Sequence, residues 1–201
     1  MRIEVITHSA IKLSGNKVIY FDPYNLIDET HDADYIFITH NHYDHYDESS
    51  IDKVKKDTTK IIVPKCLSAK ENDLVVEPNN EYVIDDISFK TVPSYNIDKP
   101  FHPKDKEYVG YILELDSVKY YIMGDTDATL EALSVNTDVC FIPIGGKFTM
   151  DYIEAADYIN KTNPKKVIPI HYGSVVGDLS LGEKFKERVN PNIEVEIMIG
   201  E

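Results

Sequence analysis

The chain has 201 residues, of which 42% are hydrophobic, so it is long enough to bury a core of its own as one domain. No Lys/Arg-rich patch interrupts its formal net charge of −14, which disfavours general nucleic-acid binding because an acidic surface repels phosphate backbones. No apolar stretch reaches the length of a membrane span and no secretory signal opens the chain, so we expect a cytoplasmic protein in which Cys66 and Cys140 stay reduced.

The first part of the chain is rich in predicted strands. Residues 2–6 and 17–21 alternate or run apolar on either side of Ser14-Gly15-Asn16, which predicts a hairpin. The apolar run 35–38 has the length of a buried strand, and similar runs predict strands at 60–63, 74–76, 87–92, 108–115 and 118–123. The last two are separated by Asp116 and Ser117, a link of hairpin length.

Helices are predicted at 48–56, 128–133, 150–161 and 179–188. In the third, apolar residues recur at helical spacing, Thr149 stands in the N-cap position and Asn163-Pro164 ends the helix. Strands predicted at 138–143 and 166–170 flank that helix. Strands that alternate with helices after an opening hairpin indicate α/β layers with a mixed sheet, in a single domain over residues 1–201.

Candidate metal ligands are concentrated directly after the predicted strand 35–38, in the run Thr39-His40-Asn41-His42-Tyr43-Asp44-His45. Extended backbone would project His40 and His42 to the same side, whereas Asp44 and His45 need a turn and can then face a second position. Imidazole nitrogens with carboxylate oxygens suit zinc, manganese or iron. One histidine at a strand end is usually a surface residue, but three histidines and an aspartate in this order predict metal binding.

The spacing His40-x-His42-x-Asp44-His45 resembles the His-x-His-x-Asp-His motif of the metallo-β-lactamase superfamily. Two later segments fit the same family in the same order: Gly124-Asp125-Thr126-Asp127 and Ile168-Pro169-Ile170-His171-Tyr172-Gly173. The segments around His8 and Asp22 are similar to the family's first hairpin, so the resemblance covers effectively the whole chain. It implies the α/β fold of that superfamily, a four-layer αββα sandwich.

The resemblance also implies a two-metal centre. By this match His40 and His42 would bind one divalent ion, while Asp44, His45 and His171 would bind the other. Asp125 would bridge the two ions, for which zinc is expected, with manganese or iron as alternatives. A metal-bound hydroxide would then be the nucleophile, and Asp44 could accept or relay the proton.

One position departs from the family pattern. The superfamily usually supplies a further histidine before the Gly-Asp segment, but here Val92-Pro93-Ser94-Tyr95 is followed by Asn96. His102 is the histidine left in that interval, and we predict that it substitutes as a ligand; a loop histidine without a role is the alternative. The segments around Asn96 and His102 resemble a branch of small stand-alone hydrolases. That branch is similar to the ascorbate-phosphate lactonases and to the phospholipase D that cleaves N-acylethanolamine phospholipids.

Four residues are candidates for supporting roles, each with a plain structural role as the alternative. His8 and Asp22 could lie beside the metals, with Asp22 orienting a ligand through a hydrogen bond. Asn96 could be a weak ligand or contact the substrate, and Lys147, after Gly145-Gly146, could bind an anionic substrate group.

We therefore expect a metal-dependent hydrolase that acts on an ester, lactone or phosphodiester of a small molecule, with a homo-oligomer left open. The alternative is a non-catalytic protein of this fold that binds metal or a partner and has an incomplete first metal site. Asn96 is the residue that favours this alternative.

Overall fold

Two mixed β-sheets packed face to face form the centre of the molecule in a computed structural model that describes residues 1–200. The first sheet runs in chain order, β1-β2-β3-β4-β5-β6. Its strands are β1 (Arg2–Thr7), β2 (Ala10–Ser14), β3 (Val18–Phe21), β4 (Ala33–Phe37), β5 (Lys55–Pro64) and β6 (Leu74–Val76). The first three are antiparallel neighbours, and β3 to β6 are parallel.

The second sheet has the order β13-β12-β11-β10-β9-β8-β7. Its strands are β7 (Glu81–Ile84), β8 (Ile87–Pro93), β9 (Val109–Leu115), β10 (Val118–Ile122), β11 (Val139–Pro143), β12 (Lys166–Ile170) and β13 (Glu194–Val195). The strands β7 to β10 are antiparallel, whereas β10 to β13 are parallel.

The helices cover the outer faces of the two sheets. They are α1 (Glu48–Val54), α2 (Leu130–Leu133), α3 (Tyr152–Thr162) and α4 (Ser180–Lys186). The α1 residues Ile51 and Val54 pack with the outer face of the first sheet, and residues of α2, α3 and α4 pack with the outer face of the second. With the core between the sheets these make three apolar layers, so the expected four-layer αββα sandwich is confirmed.

The alternation of side chains along the strands explains these layers. In β3, Phe21 faces the core between the sheets and Tyr20 faces the α1 side. In β11, Phe141 faces the same central core and Ile142 faces the helices of the second sheet. A strand buried on both faces has no polar face to show, which is why these segments are continuous apolar runs in the sequence.

Several predicted elements need correction. The turn at Ser14-Gly15-Asn16 joins β2 to β3, not residues 2–6 to 17–21, because β2 lies between them. The strands β7 and β13 were not predicted; β7 is a sheet edge with alternately exposed residues, and β13 has two residues. Asp151, not Thr149, caps α3, and Asp151 and Glu154 form a capping box there. The hairpin turn at Asp116 and Ser117 is confirmed, with both residues at positive φ.

Most strands have their carboxyl ends on the same side of the two-sheet sandwich, which we call the ligand edge. The carboxyl ends of β1, β3 and β4 meet there in the first sheet, and those of β8, β10, β11 and β12 meet there in the second. The loops that leave these ends carry the candidate metal ligands. No helix within residues 1–200 is long and apolar enough to cross a membrane.

Candidate metal centre

The first cluster of ligand atoms joins His40, His42 and His102, whose ligand atoms lie within 4.8 Å of one another. His40 and His42 follow β4, whereas His102 comes from the loop between β8 and β9. His102 is 1% exposed, and its Nε2 lies 3.2 Å from Nδ1 of His42 and 3.2 Å from Oδ2 of Asp125. The structure thus brings His102 to the position for which a substitute ligand was predicted.

The second cluster joins His8, Asp44, His45 and His171, again with ligand atoms within 4.8 Å of one another. Nε2 of His8 lies 3.3 Å from Oδ2 of Asp44, and Nε2 of His171 lies 3.8 Å from the same oxygen. His171 follows β12 and His8 follows β1, so the two sheets contribute to one cluster.

Asp125 lies between the two clusters. Its Oδ2 is 3.0 Å from Nε2 of His171 and 3.2 Å from Nε2 of His102, and its Oδ1 is 3.3 Å from Nε2 of His45. Nε2 of His40 is 4.0 Å away. One carboxylate therefore contacts imidazoles of both clusters, as a bridging ligand would.

The buried polar atoms of the centre are suited to hold metal ions. Nε2 of His40, His45 and His171 and Oδ1 of Asp125 are all buried, yet none of them makes a hydrogen bond. Buried polar atoms are normally paired, because an unpaired one has lost its water without compensation. Nitrogen and carboxylate donors that converge in this way match the preferences of zinc, manganese or iron.

Asp22 and Thr39 hold two of the imidazoles from behind. Oδ2 of Asp22 lies 2.8 Å from Nδ1 of His45, and Asp22 accepts hydrogen bonds from the Thr39 amide and hydroxyl at 2.7 and 2.6 Å. The hydroxyl oxygen of Thr39 lies 3.0 Å from Nδ1 of His40. Acceptors on Nδ1 keep the proton on that nitrogen, so Nε2 is left free to bind a metal.

Asn96 holds His102 in the same way. Oδ1 of Asn96 accepts a hydrogen bond from the His102 amide at 3.0 Å and lies 3.0 Å from Nδ1 of the His102 ring. Nδ2 of Asn96 donates to Oδ1 of Asp127 and to the Phe148 carbonyl, at 3.2 and 3.0 Å. The same carbonyl lies 3.2 Å from Nδ1 of His102. Because both oxygens near that ring nitrogen accept hydrogen bonds, Nδ1 carries the proton and Nε2 faces the centre.

His8 contacts a candidate ligand with one ring nitrogen and a serine hydroxyl with the other. Its ring is fully buried, with Nε2 toward Asp44 and Nδ1 3.2 Å from the hydroxyl oxygen of Ser174. Its carbonyl accepts a hydrogen bond from the His171 amide at 3.0 Å, and both histidines have positive φ, 49° and 59°. The left-handed backbone at both positions turns the chain sharply as it leaves β1 and β12.

Burial and neighbouring charge shift the pKa values of the site residues. Burial and the neighbouring His45 hold the pKa of His40 well below its usual value, and burial lowers that of His8 to about 4. Burial works against the charge on Asp44, but the hydrogen bond from His8 and the nearby His45 lower the pKa of that carboxyl to about 2. Burial likewise opposes the charge on Asp125, yet His171 and His45 hold its pKa well below the usual range. Burial opposes a charge on His45, but Asp125 and Asp22 outweigh it and raise the pKa of His45 well above its usual value. The carboxylates of Asp44 and Asp125 are therefore in the ionised form that binds metal, and a metal ion would displace the proton that Asp125 and Asp22 favour on His45.

A cavity of about 550 Å³ opens over the centre. His42, Asp44, His102 and Asp125 line its floor, and Lys147 lies among the residues of its wall. Lys147 is exposed, its Nζ lies 4.7 Å from the ring centroid of Phe148, and no carboxylate of residues 1–200 lies within 4.0 Å of it. Lys147 is thus beside the cavity but does not contact the candidate ligands.

Sequence reasoning missed several residues of the site. Asp127 could have been found from the sequence, because it stands in the same Gly-Asp-Thr-Asp segment as Asp125. Phe101, Phe148, Val175 and Val176 line the cavity from loops, where no periodicity marks them.

Comparison with known proteins gives a consistent picture. A model of the β-lactamase superfamily domain matches residues 2–171. A UPF0173 metal-dependent hydrolase of Thermococcus kodakarensis is 30% identical over 98% of this chain and 96% of its own length. A protein from Parabacteroides distasonis, also named as a metal-dependent hydrolase, has a crystal structure with a TM-score of 0.80. It is 30% identical, over 97% of this chain and 91% of that one. The metallo hydrolase Igni18 of Ignicoccus hospitalis, 22% identical with a TM-score of 0.77 over 98% of this chain and 94% of its own, shares the fold.

Proposed function

The chain belongs to the β-lactamase superfamily, and on that premise we propose that it is a hydrolase that depends on two bound divalent metal ions. One observation carries the proposal: Asp125 lies within 4.0 Å of Nε2 of four buried histidines, three of which have no hydrogen bond at that atom. Such a cluster is costly in a folded protein unless a cation compensates it. Related proteins that are named metal-dependent hydrolases support the same activity.

We assign the ligands by cluster. His40, His42 and His102 would bind one ion, Asp44, His45 and His171 would bind the other, and Asp125 would contact both. We assign His8 to hold Asp44, not to bind metal itself, since both of its ring nitrogens face protein partners. Zinc is the expected metal, because imidazole and carboxylate in a protein centre suit it, and manganese or iron are the alternatives.

Bound metal ions would supply Lewis acidity and lower the pKa of a water molecule toward neutrality. The protein's own residues would prepare the site for that chemistry. Asp22, Thr39 and Asn96 orient three imidazoles, and Asp44 stays ionised at neutral pH because its pKa is about 2. A carboxylate with so low a pKa is a weak base, so we expect Asp44 to pass on a proton from the attacking water, not to retain it.

The substrate we propose is an ester, a lactone or a phosphodiester of a small molecule. A cavity of about 550 Å³ is within the range of small-molecule sites. Lys147 at its wall would bind an anionic group of the substrate, since it is free of carboxylate partners within the described chain. One lysine is far from the row of cations that a polynucleotide requires, which supports a small substrate. The similarity to ascorbate-phosphate lactonases stays a prediction.

The non-catalytic alternative depended on Asn96. Because Asn96 hydrogen-bonds to His102 behind the first cluster, an asparagine at this position is compatible with a complete set of ligands. It therefore gives no support to a defective first site.

The test is metal analysis combined with substrate screening. We expect the purified protein to bind about two transition-metal ions per chain and to hydrolyse members of a panel of esters, lactones and phosphodiesters. His42→Ala and His171→Ala each remove one ligand from a different cluster. We expect each to lose metal and to lower kcat/KM by about 100-fold or more, a loss typical of a disrupted two-metal centre.

His31→Ala is the matched control, because His31 is exposed and hydrogen-bonds to the Lys55 carbonyl away from the centre. It should keep both the metal and the activity. Full metal content and full hydrolysis in both His42→Ala and His171→Ala would refute the proposed function.

A further inference from the structure

The cavity over the metal centre is lined in part by five apolar or aromatic side chains, which we call the apolar wall: Tyr43, Phe101, Phe148, Val175 and Val176. They come from four separate loops, those after β4, β8, β11 and β12. None of the five belongs to the three core clusters of the described chain. Their presence is therefore not explained by packing of the fold.

Two members of the apolar wall are exposed, although an apolar side chain is more stable when it is buried. Tyr43 is 66% exposed and Phe101 is 38% exposed. Single exposed apolar residues are common, but a group of them around a concave site usually marks a surface that binds an apolar group. The apolar wall and the histidines and carboxylates of the metal centre line the same cavity, so one bound molecule can contact both.

The wall has a defined shape. The rings of Phe101 and Phe148 meet edge to face, with centroids 4.8 Å apart and planes at 86°. Such pairs favour one arrangement, so a ring or branched group that enters meets a preformed surface. Phe101 also precedes His102 in the chain, and the Phe148 carbonyl accepts from Asn96, so the wall is attached to the metal ligands.

We propose that the apolar wall binds a ring-sized or branched apolar group carried by the substrate next to the bond that is cleaved. This inference rests on the proposed hydrolysis and narrows it to small esters or phosphodiesters with an aromatic or branched-alkyl substituent. The floor holds the reacting group, and the substituent packs against Phe101, Phe148 and the two valines. Small esters whose substituents are short or polar gain nothing from the wall and are the poorer substrates.

The experiment compares substrates that share a leaving group and differ only in this substituent. The first pair is phenyl and methyl 4-nitrophenyl phosphate, and the second is 4-nitrophenyl phenylacetate and acetate. In the metal-loaded protein we expect the apolar member of the hydrolysed pair to have the higher kcat/KM, by about tenfold or more, the gain expected for burying a ring. Intrinsic reactivity differs within a pair, so the deciding quantity is the change of this ratio between variants.

Phe101→Ala should reduce the ratio at least fivefold, and Phe101→Leu, which keeps an apolar side chain, should recover part of it. Val83→Ala is the control, because Val83 is 71% exposed on the edge strand β7 and outside the cavity; it should leave the ratio unchanged. Metal content is measured in every variant, so that a disturbed His102 is recognised separately.

Binding is measured in parallel with phenylphosphonate and methylphosphonate on the metal-loaded protein, by calorimetry. Tighter binding of phenylphosphonate that Phe101→Ala abolishes supports the wall even if neither substrate pair is hydrolysed, an outcome that counts only against the proposed hydrolysis of such esters and phosphodiesters. Hydrolysis with a ratio that Phe101→Ala does not change overturns the wall and leaves the proposed function standing. Equal binding of the two phosphonates in wild type also overturns it.

Discussion

Two imidazoles of the proposed first site, those of His40 and His102, are oriented by a hydrogen-bond acceptor on the ring nitrogen that faces away from the centre. The side-chain oxygen of Asn96 contacts His102 twice: it accepts a hydrogen bond from the backbone amide of His102 and lies next to Nδ1 of its ring. Its own orientation is set by Asp127 and the Phe148 carbonyl, which can only accept. An asparagine in place of a ligand histidine thus becomes the residue that sets the tautomer of another histidine.

The prediction at this scale concerns Asn96→Leu. Leucine is similar in size but cannot accept the Nδ1 proton of His102, so the ring keeps only the Phe148 carbonyl, 3.2 Å away, as an acceptor and is held less firmly. We expect the affinity of one metal site to fall by about 10- to 100-fold, the usual effect of losing an outer hydrogen-bond partner. Chelator competition with the zinc-loaded protein measures this, and one of two ions should be released at a lower chelator concentration.

Asn136→Leu is the matched control, because Asn136 is exposed and lies outside the centre. It should release both ions as the wild-type protein does. If Asn96→Leu does the same, Asn96 does not orient a ligand.

Among the elements, three strands of the first sheet are joined by partly buried polar contacts of one carboxylate. Asp34 on β4 accepts a hydrogen bond from the Val18 amide of β3 and from Nζ of Lys56 on β5, both at 2.8 Å. Burial acts to raise the pKa of Asp34, but Lys56 and the Val18 amide outweigh it and lower that pKa below its usual 3.8. The parallel part of the sheet, which ends at the metal-binding run, is thereby joined across three strands.

The prediction for this element is a pH-dependent loss of stability in Asp34→Asn. A carboxyl whose pKa is lowered in the folded state stabilises the protein above its unfolded pKa of 3.8, and the contribution is lost as pH falls through the folded pKa. We expect the variant to be about 1 kcal/mol less stable at pH 7, with the difference from wild type shrinking below pH 4. Urea unfolding at pH 7, 5, 4 and 3 gives the comparison.

Asp57→Asn controls for the loss of a carboxylate in the same sheet, since Asp57 is exposed on the neighbouring strand β5. Its unfolding free energy should stay close to that of wild type at each pH. A difference for Asp34→Asn that is constant from pH 7 to pH 3 would contradict the assigned role of the charge.

At the scale of the whole molecule, the proposed metal centre connects the two sheets. His40, His42, Asp44 and His45 follow a strand of the first sheet, whereas His102, Asp125 and His171 follow strands of the second. Ions bound by both sets would hold the sheets together at the ligand edge. Metal binding would then stabilise the fold as a whole, because the unfolded chain cannot present these ligands together.

We therefore predict that the melting temperature depends on metal. At a free zinc concentration 100-fold above the dissociation constant, each bound ion stabilises the fold by about 2.7 kcal/mol, which for a domain of this size corresponds to roughly 5–10 °C per ion. Circular dichroism melts with zinc and with a chelator measure the shift. His171→Ala should lose the part of the shift that one ion contributes, and His31→Ala should keep the whole shift. A melting temperature that changes with neither zinc nor chelator would argue against structural coupling.

The local part of this protein could be predicted from the sequence. Apolar runs marked most strands, because strands buried on both faces must be apolar throughout, and the run from His40 to His45 marked the candidate metal centre. Those ligands are neighbours in the chain, so their meeting requires only a strand end and a turn. The strand β2 was not predicted, because the turn residues around Gly15 indicate a hairpin but do not show which segment forms its first strand.

Only the tertiary structure decided which residues from distant loops contact one another in the site. His102 stands 60 residues after His42, yet its Nε2 lies 3.2 Å from Nδ1 of His42, and Asn96 acquires its role from His102 and Asp127. The contact between His8 and Ser174 spans 166 residues. These contacts are set by which strands pair and face each other, and no local pattern of side chains encodes that pairing. The sequence by itself determined which types of candidate ligand the protein has. The packing of the two sheets determined which of these residues lie together in one site.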